Sequence, residues 1–443
     1  MTLTAADIPA DPIPNRTDPD NTASHGPAEL RAGEQFVSEQ RLIRPRAEAP
    51  AAYDAVILSS FGGPEGQEDV IPFLRNVTRG RGIPDERLEE VATHYRANGG
   101  ISPINQQNRE LLAALRGELA ERGPDLPVYW ANRNWEPYVN DVVQQAYDAG
   151  HRRLLVLATS AYPGYSSCRQ YREDYGMALE ELGLEGKLRI DKLRQHYDAP
   201  GFIASFAEGL SAGLREVREK IAAAEHPAAG NGRIRIVFCT HSVPTTAANE
   251  AGPRAADYEG GSAYVEKHLQ AARAVLNSLD PAELAECDWE LVYQSRSGSP
   301  STPWLEPDVN DALEKLEGRV DGVVMVPLGF VSDHMEVKWD LDTEAMETCE
   351  KLGIQAVRTP TPGTHPAYVA SLRDLIAERV AQTAPAEDAA GVQAARVSAC
   401  GGKGWFDACN PECCKPARAA RVKPVIAEYT GDDAERIASA EDA

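Results

Sequence analysis

The chain lacks the apolar runs of roughly 18 to 20 residues that membrane-spanning helices need, because its apolar segments are only as long as β-strands. Its first 30 residues, MTLTAADIPADPIPNRTDPDNTASHGPAEL, also lack the basic and apolar regions of a signal peptide. Their acidic residues argue against an organelle transit sequence as well. We therefore expect no transmembrane segment and a cytoplasmic location.

Basic residues are in short supply, since 45 Lys and Arg face 68 Asp and Glu and give a net charge of −23. A surface of this sign repels phosphate backbones and anionic lipids, so we expect no nucleic-acid partner. The acidity otherwise indicates a well-solvated surface rather than a particular chemistry.

A phosphate-binding loop is also missing. The segment SSFGGPEG, residues 59–66, follows the first predicted strand but matches neither the G-x-G-x-x-G pattern nor the Walker A pattern. Nucleotide binding is therefore not expected.

Cysteine is scarce, with eight among 443 residues. In the cytoplasm these thiols stay reduced, which excludes a disulfide framework and leaves them available for a metal. Four of them, Cys400, Cys409, Cys413 and Cys414, lie within SACGGKGWFDACNPECCKP, a clustering that indicates zinc or an iron-sulfur cluster. Because adjacent side chains point in different directions, we expect only one of the vicinal pair to bind the metal. A two-iron cluster would then need a fourth ligand from elsewhere.

The chain exceeds the roughly 250 to 300 residues at which single cores stop growing. From Tyr53 onward, short apolar runs alternate with segments of helical period, and the runs are YDAVILSSF, LPVYWAN, RRLLVLAT, RIRIVFCT, WELVYQS and DGVVMVPLGF. This alternation in two sets predicts an α/β fold of two Rossmann-like, doubly wound lobes with parallel sheets. Ligands of such sheets bind beyond the carboxyl ends of the strands, which indicates a cleft between the lobes.

Changes in composition divide the chain into five predicted regions. These are a disordered leader over 1–50, an N-terminal lobe over 51–200, a C-terminal lobe over 201–382, a linker with the cysteine-rich extension over 383–420, and an acidic tail over 421–443. The leader is rich in Pro, Ala, Asp and Asn and cannot bury enough apolar surface to offset the entropy of ordering.

Two strand ends carry candidate functional side chains. His241 follows the run RIRIVFCT, and Pro244 hinders continuation of that strand. The run DGVVMVPLGF should deliver Asp333, His334 and Glu336 to the same sheet edge. A lone histidine is more often a hydrogen-bonded structural group, but two strand ends that both supply such groups favour a catalytic site.

An acidic row follows the second of these strand ends. If a helix begins near Ser332, Glu336 and Asp340 share one face and Glu344 continues the row. The row is either a solvated helix face or an oxygen-lined path for a divalent cation or for departing protons. Sequence spacing alone does not choose between these interpretations.

Six segments between about residues 54 and 380 resemble those of the ferrochelatases and occur in that family's order. They are SFGGPEGQEDVIPFLRNVTRGR, GGISPIN, SAYPGYSS, FCTHSVP, YQSRSGSPSTPWLEP and PLGFVSDHMEV. The resemblance is closest to the actinobacterial members, which use coproporphyrin III instead of protoporphyrin IX. It implies two Rossmann-like lobes around a porphyrin cleft, and a lyase of haem biosynthesis that inserts ferrous iron, its metal substrate, into coproporphyrin III.

The resemblance also implies site residues, with His241 as the catalytic histidine and Glu336 as the metal-site glutamate. We hypothesise that His241 takes the pyrrole protons while Glu336 presents iron, and that separate lobes deliver the two side chains across the cleft. Further implied are an acidic ridge of His334, Asp340, Asp342 and Glu344, and porphyrin contacts at Phe61, Arg79, Arg81, Ser102 and Tyr171. Arg79, Arg81 and Arg169 are either carboxylate partners or surface arginines.

A 2Fe-2S cluster held by three C-terminal cysteines and one from the body is implied as well. Cys168 lies in the corresponding body segment. The expected ligands are therefore Cys168, Cys400, Cys409 and Cys414, with Cys413 as the alternative. Zinc held by the tail alone is the rival interpretation.

Other functions fit parts of the same pattern. They are a protoporphyrin IX ferrochelatase, a small chelatase inserting cobalt or nickel into a reduced tetrapyrrole, and a non-catalytic haem carrier or iron-sulfur sensor. The segments GGISPIN and YQSRSGSPSTPWLEP argue against the small chelatase, and the presence of both His241 and Glu336 argues against the carrier. Lacking the apolar C-terminal segment of dimeric relatives, the chain is expected to be a monomer.

Overall fold

The computed structural model describes residues 52–80, 82–253, 258, 261–297, 301–380, 397–402, 404–409, 413–416 and 423–428. The predicted leader, Arg81, most of the predicted linker and most of the acidic tail lie outside these described residues.

The first sheet is built from four parallel strands in the order β2-β1-β3-β4. The strands are β1 (Ala55–Ser60), β2 (Val128–Asn132), β3 (Arg153–Ala158) and β4 (Arg189–Lys192). The helices around them are α1 (Val70–Val77), α2 (Asp85–Ala97), α3 (Ile104–Arg122), α4 (Val139–Asp148) and α5 (Gln170–Glu181). A 3-10 turn (Gln67–Asp69) precedes α1, and a π-helical turn (Tyr165–Arg169) precedes α5. The central strand β1 is buried at every position, as expected for a parallel strand covered on both faces.

The second sheet repeats this plan with four parallel strands in the order β6-β5-β7-β8. The strands are β5 (Ile234–His241), β6 (Cys287–Gln294), β7 (Gly322–Val326) and β8 (Gln355–Arg358). The helices are α6 (Pro200–Ala223), α7 (Thr245–Asn249), α8 (Ala263–Asn277), α9 (Val309–Glu314), α10 (Met335–Trp339), α11 (Met346–Lys351) and α12 (Pro366–Arg379). A π-helical segment, Asp340–Ala345, joins α10 to α11. The predicted α/β class, with two doubly wound parallel sheets, is confirmed.

The two sheets share one hydrophobic core. The last helix, α12, packs against both α6 and α3, so it returns from the second sheet to the first. A single cluster of buried side chains includes Leu58 of the first sheet, Phe238 of the second and Tyr368 of α12. Within the described residues, no helix combines the length and the apolar character needed to cross a bilayer.

The loop after β7 passes close to the end of β5. Gly329 makes this approach possible, because a Cβ atom there would lie 2.2 Å from Oγ1 of Thr240. The backbone N–H of Gly329 donates to the carbonyl oxygen of Cys239 at 3.0 Å. The polypeptide that follows β7 is thereby held beside the carboxyl end of β5.

Candidate active site

His241 is the last residue of β5, at the carboxyl edge of the second sheet. Its Nδ1–H faces the carbonyl oxygen of Ser242, which leaves Nε2 directed at other side chains. The hydroxyl of Tyr264 donates to the carbonyl oxygen of His241 at 2.7 Å. About a third of the His241 side chain, 34%, is exposed.

Glu336 lies on α10 and places its carboxylate between two imidazole rings. Its Oε2 atom is 3.6 Å from Nε2 of His241 and 3.7 Å from Nδ1 of His334. The strands β5 and β7 are neighbours, so the residues that follow them meet at one edge. The side chain of Glu336 is 49% exposed, and a ligand could therefore reach the carboxylate.

This position corrects the hypothesis that separate lobes deliver His241 and Glu336 across a cleft. Both residues belong to the second lobe, because β5 and β7 are adjacent strands of one sheet. With 3.6 Å between their facing atoms, no macrocycle fits between the two side chains. Both side chains therefore lie on the same side of any ligand that reaches them.

The electrostatics of this pair favour two opposite charges. Burial lowers the pKa of His241, but the nearby Glu336 carboxylate outweighs burial and raises that pKa to about 9. Burial raises the pKa of Glu336, but His241 and His334 lower it to about 2. Near neutral pH the pair is thus an imidazolium and a carboxylate, and only the carboxylate is ready to bind a cation.

Asp340 is the next acidic residue along this face. Burial, together with the charges of Glu336 and Glu344, raises its pKa to about 7 despite a hydrogen bond from the Ser295 hydroxyl. The side-chain amide of Gln294, at the end of β6, donates to Asp340 Oδ2 at 3.3 Å. A carboxyl group that titrates near neutral pH can both accept and release a proton.

The remaining members of the predicted ridge lie on the π-helical segment. Glu344 is exposed and accepts a hydrogen bond from Nε1 of Trp339 at 2.8 Å. Asp342 has its oxygens occupied by Arg358 and Lys338, at 2.7 and 2.5 Å. The charges of Glu336 and Glu344 therefore both act on Asp340, and we call these three carboxylates the row. Asp342 is not part of the row, because it is paired with Arg358 and Lys338.

Helix α2 of the first lobe covers this row. The ring of His94 stacks on Trp339, with centroids 4.2 Å apart. Burial and the charge of Glu336 raise the pKa of the partly buried Tyr95. The sequence analysis missed both residues, because α2 shows no motif and its position over the second lobe depends on tertiary packing.

The predicted porphyrin contacts have different environments. Phe61 is 38% exposed, and the guanidinium of Arg133 lies 5.8 Å from its ring centroid and 4.6 Å from that of Tyr171. Tyr171 and Ser102 are buried. Arg133, which the sequence analysis also missed, is held by Asp174 through its Nε atom at 2.5 Å.

The predicted arginine partners of porphyrin carboxylates fall into three situations. Arg79 is exposed and bonds to Asn76 at 2.7 Å. Arg169 is buried and paired with Glu173 at 3.1 Å, so it does not reach an exposed ligand surface. Arg81 lies outside the described residues.

Four cysteine thiols converge beside the π-helical turn that precedes α5, and we call Cys168, Cys409, Cys413 and Cys414 the thiol group. The thiol of Cys168 makes hydrogen bonds with those of Cys409 and Cys414, and the Cys409 thiol does so with that of Cys413. The Sγ atoms of Cys413 and Cys414 are 3.7 Å apart. All four residues are buried.

Cys400 lies outside the thiol group, in contrast to the expected ligand set. It packs against the central core, and the charges that act on its thiol are those of Asp198 and Lys267. Both vicinal cysteines join the group instead of one. The backbone at Cys414 is left-handed, with φ of 56°, which is uncommon for a residue other than glycine.

Positive charge and a backbone donor surround the thiol group. Hydrogen bonds from Cys409 and Cys414, helped by the charges of Lys192 and Arg172, hold the pKa of Cys168 well below its ordinary value. The backbone N–H of Gly252 donates to Sγ of Cys414 at 3.2 Å. These surroundings favour the thiolate at Cys168. At Cys409, Cys413 and Cys414, hydrogen bonds with neighbouring thiols together with burial raise the pKa instead. Nevertheless, in the part of the chain that the structure describes, no three or more His, Cys, Asp or Glu side chains are arranged to hold a metal ion.

Comparison with known proteins gives one consistent result. A family model described as Ferrochelatase matches residues 53–380. The coproporphyrin III ferrochelatase of Leifsonia xyli subsp. xyli is 54% identical over 387 residues, which cover 86% of this chain and 95% of that relative. The coproporphyrin III ferrochelatase of Streptomyces griseus subsp. griseus is 50% identical over 381 residues, covering 85% and 96%. That of Tropheryma whipplei is 50% identical over 366 residues, covering 83% and 90%.

Proposed function

The chain belongs to the ferrochelatase family, and we propose that it inserts ferrous iron into coproporphyrin III, yielding Fe-coproporphyrin III and two protons. The observation that carries the choice of substrate is the 54% identity to a coproporphyrin III ferrochelatase across 95% of that relative's length. The enzyme is then a lyase of haem biosynthesis with iron and porphyrin as its substrates.

The pair of His241 and Glu336 supports a stepwise exchange of protons for iron. In the substrate-free protein the Glu336 carboxylate keeps a proton on His241. Ferrous iron bound at Glu336 reduces the negative charge near the imidazolium, so the pKa of His241 falls and its proton leaves. The neutral imidazole can then take a pyrrole proton as iron enters the macrocycle.

Asp340 supports the removal of the protons. Its pKa of about 7 allows it to accept a proton near neutral pH and to release it again, as a relay must. Glu344 acts on Asp340 through its charge and is itself exposed. In this proposal the row of Glu336, Asp340 and Glu344 connects the insertion site with solvent.

The substrate is tested by anaerobic incubation of the full chain with ferrous iron and either coproporphyrin III or protoporphyrin IX, while the Soret band is followed. Faster metallation of coproporphyrin III supports the proposal. Faster metallation of protoporphyrin IX would make that porphyrin the substrate. Binding of either porphyrin without metallation would favour a non-catalytic haem carrier or sensor.

The site residues are tested by His241→Ala and Glu336→Gln. Both variants should still bind coproporphyrin III, measured by porphyrin fluorescence, and should lose insertion. His151→Ala is a matched control, because His151 contacts Tyr129 in the first lobe at 3.1 Å. Turnover retained by either site variant would reject the assignment.

We also propose that the thiol group, rather than the set including Cys400, holds a 2Fe-2S cluster that fastens the C-terminal extension to the body. The donor chemistry fits, since such clusters take four cysteine thiolates. The 3.7 Å between Sγ atoms of Cys413 and Cys414 is close to the roughly 3.8 Å between two thiolates bound at about 2.3 Å to one tetrahedral metal.

The cluster is tested on anaerobically purified protein by visible absorption and by electron paramagnetic resonance after reduction. We expect Cys168→Ser to abolish both signals. The control Cys400→Ser should retain them, because Cys400 lies outside the thiol group. Colourless protein with one equivalent of zinc would replace the iron-sulfur proposal by the zinc alternative.

We further propose a cytoplasmic monomer with the five regions predicted from composition. The shared core of the two lobes supports treating 51–382 as one folded body. Light scattering coupled to size exclusion tests the monomer, and limited proteolysis tests whether cleavage concentrates in 1–50 and 383–396.

A further inference from the structure

Arg358, the last residue of β8, lies behind the candidate site and does not contact His241 or Glu336. Its guanidinium bonds to two carboxylates that flank the segment carrying the site. Nε and Nη2 donate to Asp342 at 2.7 and 2.8 Å, and Nη1 and Nη2 donate to Asp333 at 3.2 Å each. Nη1 also donates to the carbonyl oxygen of Thr359 at 3.3 Å.

These contacts use the full donor capacity of the side chain. A guanidinium has five N–H groups in a fixed planar fork, and each of the five bonds of Arg358 can take one of them. Two bidentate pairs of this kind fix distance and orientation together. The side chain is only 13% exposed, so water competes weakly for these bonds.

The two carboxylates hold both ends of the segment from Asp333 to Asp342. Asp333 immediately precedes His334 and starts the segment, whereas Asp342 lies within the π-helical segment that ends it. Glu336 and Asp340 lie between these two attachment points. One guanidinium therefore fixes the ends of the polypeptide that presents the carboxylates to the site.

Further hydrogen bonds connect Asp333 and Asp342 to other elements, and we call the two carboxylates with Arg358 the frame. Asp333 accepts from the Thr361 hydroxyl at 3.1 Å, and its backbone N–H donates to Gln107 of α3 at 2.7 Å. Asp342 also accepts from Lys338 of α10 at 2.5 Å. The frame is thus connected to the first lobe through Gln107 and to α10 through Lys338.

We propose that Arg358 is a positioning residue for iron insertion, which sets the placement of Glu336 and Asp340 relative to His241 by clamping Asp333 and Asp342. The inference rests on the proposed function, in which iron enters at Glu336. Arg358 acts through other residues and does not touch iron or porphyrin. Removing residues that orient metal ligands typically costs 10- to 100-fold in metal affinity or activity.

The test compares Arg358→Met and Arg358→Lys with wild type by steady-state metallation of coproporphyrin III at varied ferrous iron. We expect Arg358→Met to lower kcat/KM for iron about 10- to 100-fold, with porphyrin affinity within about twofold of wild type. Arg358→Lys keeps the charge but loses the bidentate fork, so it should recover only part of the loss.

Arg235→Met is the matched control. Arg235 lies near the start of β5 in the same sheet and pairs with Glu290 at 3.1 Å, remote from the segment that Arg358 holds. The Arg235→Met variant should lose about as much stability in thermal unfolding as Arg358→Met. Its kcat/KM for iron should nevertheless stay near that of wild type. An equal loss in both variants would overturn the positioning role.

Asp342→Asn keeps the inference testable if Arg358→Met does not fold. This variant should also lower kcat/KM for iron, and the double variant with Arg358→Lys should lose no more than the larger of the two single effects. The positioning role of Arg358 would be overturned if Asp342→Asn left kcat/KM for iron unchanged. It would also be overturned if the losses of the two single variants added fully in the double variant. Absence of turnover in wild type would instead contradict the proposed function itself.

Discussion

The charge on His241 is set mainly by one neighbour. Glu336 raises the pKa of that histidine against the effect of burial, and the Ser242 carbonyl and Asp340 add smaller contributions. His241 and Glu336 therefore form an ion pair in the substrate-free protein. This coupling can be measured without turnover.

We predict that Glu336→Gln lowers the pKa of His241 from about 9 toward the ordinary value near 6.5. The amide carries no charge, so burial is no longer opposed by the nearest carboxylate. Titration of the imidazole signals by nuclear magnetic resonance, on substrate-free protein, gives the two values.

Glu344→Gln is the control for this titration. Glu344 acts on Asp340 and is not among the groups that shift His241, so the His241 titration should move little. If Glu336→Gln also leaves that titration in place, the ion pair does not set the charge of the histidine.

The sequence named His241 and Glu336, which do meet, and three members of the thiol group, but it wrongly included Cys400 and expected only one of the vicinal pair. The two site residues follow strands in motifs of fixed order, and strand ends have a defined position in a parallel sheet. The C-terminal extension has no such periodicity. The backbone of Cys414 is left-handed, and sequence spacing does not predict that conformation at a residue other than glycine.

Among the elements, six strands were predictable, including the edge strands β2 and β6, and two short edge strands were not. All six predicted runs form strands, whereas β4 and β8 were missed. These two have four residues each, RIDK and QAVR, and form an outer edge of their sheets. A short strand with charged residues gives almost no apolar signal, so its position comes only from pairing with β3 or β7.

The acidic helix also differs from its prediction in an informative way. It begins at Met335 instead of near Ser332, and it becomes π-helical from Asp340 to Ala345. A π-helical turn inserts extra backbone and is common at functional sites. Here the bidentate bond from Arg358 to Asp342 joins this segment to the edge strand, a tertiary contact that sequence spacing does not reveal.

The C-terminal extension depends on a close backbone approach to α5. A Cβ atom at Gly176 would lie 2.4 Å from the carbonyl oxygen of Pro424. Next to it, the Nε atom of Arg172 donates to the carbonyl oxygen of Ile426 at 2.9 Å. Cys409 is paired with Glu428 of the same segment, so displacing residues 423–428 also disturbs the thiol group.

We predict that Gly176→Ala displaces residues 423–428 and lowers the free energy of unfolding by about 1–3 kcal/mol, as overpacking does. Chemical denaturation measures the loss. The rate at which the buried thiols react with a chromogenic disulfide reagent, after removal of any metal, should rise because Cys409 loses its cover.

Gly117→Ala in α3 is the matched helical control. Nothing lies within 4 Å of the Cβ position at Gly117, so alanine there should raise stability by about 0.5–1 kcal/mol through helix propensity. Unchanged thiol reactivity and stability in Gly176→Ala would show that the extension does not depend on this contact.

At the scale of the whole molecule, two buried histidines connect the lobes. His196, which follows β4, meets the hydroxyl of Tyr368 on α12 at 3.1 Å. His268 of α8 stacks on Tyr162 of the first lobe, with centroids 3.5 Å apart, and bonds to Thr240 at 2.8 Å. Both rings are 1% exposed, so neither can gain a proton without disturbing the common core.

Burial lowers the pKa of both rings to about 3, with Lys192 and Arg194 adding to the effect at His196. The unfolded chain protonates its histidines below about 6.5, whereas the folded chain keeps these two neutral. As pH falls from about 6.5 to about 3, each should therefore remove ~1.4 kcal/mol of stability per pH unit. Above that range neither ring contributes to the pH dependence.

We predict that His268→Gln reduces the acid slope of the free energy of unfolding by ~1.4 kcal/mol per pH unit, although the variant is less stable than wild type at pH 8 because it loses the stacking on Tyr162. His196→Gln should reduce the slope equally, and the double variant should reduce it twice as much. Urea denaturation from pH 4 to 8, followed by both tryptophan fluorescence and circular dichroism, measures the slopes.

Because the two rings lie in the core that both lobes share, the two signals should change together. An unchanged slope in both single variants would place acid sensitivity in the carboxylates, and separated transitions would mean that the lobes unfold independently.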